Sequence, residues 1–426
     1  MLLPGYKACN WRFFSFSLAV LGLLVACSPP AAVPPATAIP IEPRQLSQQL
    51  YIWQRQWTAQ HPTALAQSRA DFSQLRLLAL QYHVSSQGPV WFETKLPLSL
   101  LQQDGRPLWL VIRLDGQLPQ LPGQALQQRL RQLLQQWQQA GLTPAVIEID
   151  YDSARSQLPA YQRWLAQFAQ QLPAGTQLAI TALPDWLQSA DFNAVLQQVD
   201  ILTLQLHSVL SPAQGLFDPP LAKKWASQLA ALSDKPFYLA LPAYHSALVR
   251  KAARSTDWLV ESEVPQLYTG ERQELWLDPL KLQQWQAWLQ QQPWPLLQGL
   301  VWFRLPLPQD QRSLPLSTLQ AIVRQQPLQQ QLQLKVTGTA PVLELWAHNS
   351  GQTPQQLPAW LQLHSSQCLQ AEAIAGSRLQ AEPGGYQLQL PNRTLAAGQQ
   401  QLLAWFHCQQ LQLINTATAN SPGAVL

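Results

Sequence analysis

The chain is 426 residues long, with only 12% charged and 47% hydrophobic side chains, against roughly 25% charged in an ordinary soluble domain. Its 18 Trp exclude a disordered chain, and a mean hydropathy of -0.11 excludes a multi-span membrane protein. The 27 basic and 23 acidic residues are spread too thinly to form a nucleic-acid surface, so neutral polar side chains, mainly Gln, do the solubilising.

At the N-terminus, Lys7 and Arg12 precede an apolar run from Phe13 to Ala26. That run is too short and wrongly flanked for a transmembrane helix and suits the core of a secretory signal. It ends in Leu24-Val25-Ala26-Cys27, which resembles the lipobox of bacterial lipoproteins. The resemblance implies cleavage before Cys27 and acylation of its thiol and new amine. With Ser28 rather than Asp next, it also implies sorting to the outer membrane. Two or three acyl chains on one residue anchor stably where one would not; an ordinary signal with an incidental Cys is the alternative. The expected location is therefore the bacterial cell envelope, lipid-anchored through Cys27 at the outer membrane and facing the periplasm. Residues 1–26 read as signal peptide and 27–45 as acylated Cys plus a Pro- and Ala-rich tether.

Over residues 46–325 short apolar runs alternate with amphipathic ones. The runs are Leu50–Trp57, Leu75–Tyr82, Leu108–Leu114, Ala145–Asp150, Gln177–Leu183, Asp200–His207, Phe237–Ala243 and Gly299–Leu305. Each has the length and near-continuous apolarity of a strand buried on both faces. Helical stretches are predicted at Gln124–Ala140, Tyr161–Gln171, Pro219–Leu232 and Pro279–Gln291, the first from the three-and-four spacing of Leu126, Leu130, Leu133, Leu134 and Trp137. Eight such strands with intervening helices predict an α/β fold, a (β/α)8 TIM-type barrel. A doubly wound sheet is the competitor, but no Gly-rich phosphate turn follows the first strand, and nothing calls for a cofactor. The crossovers Val84–Arg106 and Ser246–Leu277 are long and irregular.

After residue 325 the period becomes two, in Gln331–Val336, Val342–Trp346, Trp360–Leu363 and Tyr386–Leu390. Residues 326–426 therefore read as a small antiparallel β-sandwich. Carbohydrate-binding modules look like this, and so do inert accessory domains. Cys9 lies in the signal and Cys27 carries the lipid, which leaves Cys368 and Cys408. In an oxidising compartment a disulfide between them is expected, with two buried thiols as the alternative.

Chemistry in such a barrel gathers where strands end at their C-terminal face. The fourth run, Ala145-Val146-Ile147-Glu148-Ile149-Asp150-Tyr151-Asp152, puts Glu148, Asp150 and Asp152 on one face, with successive Cα atoms about 6.6 Å apart. Three acids pointing into one space must share a proton, bind a cation or meet a guanidinium. Arg113 and Asp115, ending the third strand, are the expected partners, with Glu148 and Arg113 as a buried ion pair in the blander reading. The sixth strand adds Gln205 and His207, the seventh Tyr244 and His245, the eighth Trp302 and Arg304, and the second Gln81 and His83. No recognised metal-ligand spacing is present.

The fourth strand resembles the Asp-Gly-x-Asp-x-Asp-x-Glu signature of family 18 chitinases, whose last acid protonates the glycosidic oxygen. Glu148, Asp150 and Asp152 fall on its last three acidic positions. Ala145 and Val146 replace the leading Asp-Gly, Asp152 is a methylene shorter than Glu, and Gln205 and His207 stand where those enzymes have Met-x-Tyr-Asp. Trp302 matches the Trp that floors their sugar site. A longer resemblance runs through Tyr51–Trp57, Val111–Gly116, Glu148–Asp152 and Thr203–His207. It is to an uncharacterised bacterial lipoprotein family, domain of unknown function 3142, placed with the glycosidase-type TIM barrels.

Two functions follow as expectations. One is a glycoside hydrolase with Asp152 as general acid, Asp150 supporting transition-state charge, Glu148 and Arg113 orienting, and Trp302 with Tyr244 stacking on the sugar. The other is a lipoprotein that binds a glycan without turnover or serves structure or assembly. A monomer is expected in either case.

Overall fold

The computed structural model describes residues 44–207, 215–250, 258–261, 271–310 and 312–417. The signal peptide, Cys27 and all of the tether before Arg44 lie outside the described residues.

Eight parallel strands form the barrel: β1 (Ser47–Ile52), β2 (Gln74–Ser85), β3 (Leu108–Leu114), β4 (Val146–Tyr151), β5 (Gln177–Ala182), β6 (Ile201–Gln205), β7 (Phe237–Pro242) and β8 (Leu297–Phe303). Each pairs with the next, and β1 pairs with both β2 and β8, so the sheet closes. Among the described residues a helix follows every strand: α1 (His61–Ser68), α2 (Leu98–Asp104), α3 (Gln124–Gln139), α4 (Leu158–Ala169), α5 (Phe192–Leu196), α6 (Pro219–Leu232), α7 (Pro279–Leu289) and α8 (Leu316–Val323). This is the TIM-type barrel that the alternation of runs predicts.

Local chemistry sets the helix bounds. Buried Leu126, Leu130, Leu133 and Trp137 form the inner stripe of α3, and Gly141, at φ 70°, turns the chain toward β4. Asp218 and Asp278 cap α6 and α7, accepting from the amides of Leu221 and Leu280, and proline occupies the first turn of each. The unpredicted helices α1, α2, α5 and α8 span only five to eight residues, too few turns to display a period.

Strand alternation divides the core in two. Leu50, Leu77, Leu110, Ile147, Ile149, Leu202 and Trp302 point outward and pack under the helices. Tyr51, Trp53, Trp109, Val111, Val146, Ala179, Tyr238 and Val301 fill the barrel. The two irregular crossovers carry antiparallel additions. Gly88–Glu93 folds back along the end of β2, and Ser246–Arg250 is flanked by Trp258–Glu261 and Arg272–Leu275.

The C-terminal part is a sandwich. One sheet orders Leu332–Thr339, Val342–Asn349, Gln400–His407 and Gln370–Ala373; the other orders Arg378–Glu382, Gly385–Gln389, Trp360–Ser366 and Gln410–Ala417. Leu345, Leu361, Leu363, Leu388 and Phe406 fill the space between them, and Cys368 and Cys408 are disulfide-bonded. Barrel and sandwich belong to one compact unit. Across their junction the Gln352 amide donates to the Ser317 carbonyl of α8 at 3.2 Å.

Candidate functional site

The barrel interior is built upward from a buried ion pair. Arg76 on β2 and Glu148 on β4 have fully buried side chains, with Nη1 donating to Oε1 at 2.9 Å. The same carboxylate oxygen accepts from the Tyr51 hydroxyl at 2.8 Å and from the Thr181 hydroxyl at 3.1 Å. Arg76 also donates to Thr203 Oγ1 at 2.6 Å and to Gln49 Oε1 at 2.7 Å, and its guanidinium lies 3.6 Å from the Trp109 ring centre. Such a pair persists in a low-dielectric interior only because these additional bonds offset the desolvation of both charges. Burial and the Glu148 charge hold the Tyr51 hydroxyl well above the usual tyrosine value, so it stays a donor.

Glu148 therefore answers to Arg76 and not to Arg113. The guanidinium of Arg113 instead reaches Asp152, Nη2 to Oδ2 at 2.6 Å, with about a third of each side chain exposed (31% and 33%). Asp115 does not join them. Its carboxylate accepts from the amides of Gln117 and Val84 and shapes the turn after β3. Gly116 in that turn lies so close to Asp152 that a Cβ would run into its backbone oxygen, which accounts for a glycine at this place.

Asp150 stands between the two ion pairs on the same face of β4 and is only 6% exposed. Burial, then the Asp152 charge, push its carboxyl up to about 8, with Arg113 pulling in the other direction. That shift favours the protonated form of Asp150 at neutral pH, while Asp152, two residues on, is held by Arg113. The sequence reading allots the acid role to Asp152; of the two carboxyls, Asp150 is the one whose acidity burial weakens.

Both acids open on a cavity of about 250 Å³ at the C-terminal end of the strands, whose lining also includes Arg113, Gln205, His207, Tyr244 and Arg304. Burial pushes the His207 imidazole down to about 3 and the Tyr244 hydroxyl up to about 12, so both are neutral across the physiological range. The Tyr244 hydroxyl lies 3.4 Å from His207 Nδ1, and the Gln205 amide donates to the His207 carbonyl. Arg304 reaches the cavity while bonded to Asp310, Nη2 to Oδ2 at 2.6 Å. Gln81 accepts from Arg55 and, like His83 and His245, does not line this cavity.

Trp302 is not in the site. It is fully buried on the outer face of β8, among the helix-packing residues, with its indole donating to Gln48 Oε1 at 2.7 Å. The neighbouring Phe303 faces inward, because successive side chains of a strand alternate faces. Phe303 and Trp53, their ring centres 5.0 Å apart, supply the aromatic wall that Trp302 is expected to provide. Sequence reasoning also misses Arg76, although a lone arginine inside the apolar run Leu75–Leu80 needs a buried counter-charge, and Glu148 is the acid at matching depth.

Residues 104–308 match the model of a family described as Domain of unknown function (DUF3142), and residues 332–409 that of Domain of unknown function (DUF8456). No curated protein matches the sequence. Among solved structures, the spore cortex-lytic enzyme SleL of Bacillus cereus aligns at 14% identity over 62% of this chain and 72% of its own, with a TM-score of 0.45. A chitinase from Chromobacterium violaceum aligns at 14% identity over 66% and 98%, with a TM-score of 0.43. A xylanase and alpha-amylase inhibitor protein from Scadoxus multiflorus aligns at 10% identity over 66% and 99%, with a TM-score of 0.42. The segment that matches the model of Domain of unknown function (DUF3142), residues 104–308, carries β3 to β8 together with Glu148, Asp150 and Asp152, and by that segment the chain is similar to this family.

Proposed function

We propose that the chain is an envelope lipoprotein, anchored through Cys27 and monomeric, whose barrel hydrolyses a glycan with Asp150 as proton donor and Asp152 as the charged carboxylate. One observation carries this reading: a single cavity is lined by two carboxyls two residues apart, Asp150 buried, with its acidity weakened by that burial, and Asp152 paired with Arg113. Glycoside hydrolysis needs that division of labour, and a pair of environments that drives two carboxyls apart in acidity is how it is achieved. The Asp150 proton passes to the glycosidic oxygen as its bond to the anomeric carbon breaks. Water then adds hydroxide to that carbon, its other proton goes to Asp152, and exchange with solvent restores both acids. Trp53, Phe303 and Tyr244 offer aromatic faces to the sugar ring.

Glycan binding without turnover is the second reading, favoured by the 2.6 Å contact with which Arg113 already engages Asp152. Incubating wild type, Asp150→Asn and Asp152→Asn with peptidoglycan, chitin-type glycans and exopolysaccharide separates the two. Hydrolysis predicts released saccharide from wild type and a loss of at least about 100-fold in Asp150→Asn. Calorimetric binding with no release from any glycan supports the second reading, and absence of both leaves a structural or assembly role.

A further inference from the structure

A second, larger concavity adjoins the cavity. It is a groove of about 1190 Å³ walled by α1, α8 and the segment after β8 on the barrel side and by Arg393 and Gly398–Gln401 on the sandwich side. The two spaces share a wall one ion pair thick. Asp310 lines the groove, and its carboxylate holds Arg304, which lines the cavity. Tyr244 lines the cavity, and the next residue, His245, lines the groove.

The groove's chemistry is neutral and amide-rich. Gln60, Gln67, Gln320 and Gln399–Gln401 contribute to its lining, against one carboxylate, Asp310, already paired with Arg304, and one arginine, Arg393. Carboxamides both donate and accept, which suits the hydroxyls of an uncharged sugar chain. One donor is also left over. His245 is 3% exposed and its Nδ1 accepts from the Leu277 amide, so its proton sits on Nε2, a buried atom with no hydrogen-bond partner among the described residues. Size points the same way. A 250 Å³ cavity falls below the roughly 300–1,000 Å³ of ordinary ligand sites and takes about one ring, whereas the adjoining groove exceeds that range.

We infer that the groove is the extension of the substrate cleft, receiving the following units of a neutral oligosaccharide whose first ring sits in the barrel, so that the sandwich forms one wall of the cleft. This rests on the glycan reading of the cavity. The test is calorimetric titration of the full chain in detergent with neutral disaccharides and hexasaccharides of chitin, cellulose and α-glucan type. Three variants accompany wild type: Ser317→Trp, which plugs the groove from α8, Gln401→Ala, and Trp53→Ala in the cavity, each checked by thermal melting. The inference expects at least one hexasaccharide to bind tenfold or more tighter than its disaccharide. That advantage is abolished by Ser317→Trp and reduced by Gln401→Ala, while Trp53→Ala weakens both lengths equally. Equal affinity for the two lengths, or an advantage that survives Ser317→Trp, overturns the groove and leaves the cavity reading standing. Hexasaccharide binding lost in Ser317→Trp but indifferent to Trp53→Ala keeps the groove and removes the cavity, and absence of binding by any saccharide overturns both.

Discussion

Arg76 and Glu148 are both fully buried, and each offsets the other's charge. Arg76→Ala strands a buried carboxylate and is expected to cost roughly 3–5 kcal/mol in denaturant unfolding. The double variant Arg76→Met with Glu148→Leu recovers much of that loss, because no charge is left behind. Titration of buried groups gives stability a pH signature. Unfolded, His207 and His245 bind a proton near 6.5, and folded only near 3. The unfolded chain therefore holds more protons between those values, and stability falls as pH drops from 6.5 toward 3. Asp150 acts oppositely, keeping its proton to about 8 when folded but only to 3.8 when unfolded, so its contribution falls as pH rises between them. Well below 6.5 the histidines outweigh Asp150, with His61, also lowered by burial, adding to them, and above 6.5 the Asp150 contribution declines toward 8. Melting curves are expected to show an acid limb flattened by His207→Gln with His245→Gln, and a decline from 6.5 to 8 flattened by Asp150→Asn. Three acids at alternate positions made this site legible in the sequence. Their partners were not, because Arg76 and Arg113 are equally compatible with the spacing and only the third dimension assigns one to Glu148 and the other to Asp152.

At the scale of elements, all eight strands were readable, the first displaced toward its C-terminal end, because strands covered on both faces are near-continuous apolar runs. That same continuity hides which face each residue takes. On β8, Trp302 and Phe303 are equally apolar, and the residue that lines the site is separated from the one under the helices by a single step. Trp302→Ala is therefore expected to lower stability by about 3–5 kcal/mol and leave saccharide affinity unchanged in protein that remains folded. Phe303→Ala is expected to weaken affinity, with calorimetry and melting on the same samples separating the two effects. In the sandwich, Cys368 and Cys408 close a loop of 40 residues. Replacing both with alanine is expected to cost about 2–4 kcal/mol, read as an earlier transition on heating without loss of the barrel's helical signal.

Across the whole molecule only 12% of residues are charged, and amides take much of the polar surface instead. Gln-rich helix faces made α3 easy to read while leaving the amide-lined groove indistinguishable from ordinary surface in one dimension. If Cys27 is acylated as proposed, palmitate labelling in a bacterial host is expected to mark wild type and to vanish in Cys27→Ser, which then leaves the membrane fraction. The stack of Arg76 on Trp109 has a consequence for traffic. With Tyr238, Glu148 and Tyr51 around it, that stack plugs the middle of the barrel, which makes the barrel a cup and not a pipe. Under the proposed hydrolysis, a saccharide cut there would enter and leave by one doorway, so released sugar and incoming chain would contend for the same opening. Added product should therefore raise KM while leaving kcat unchanged.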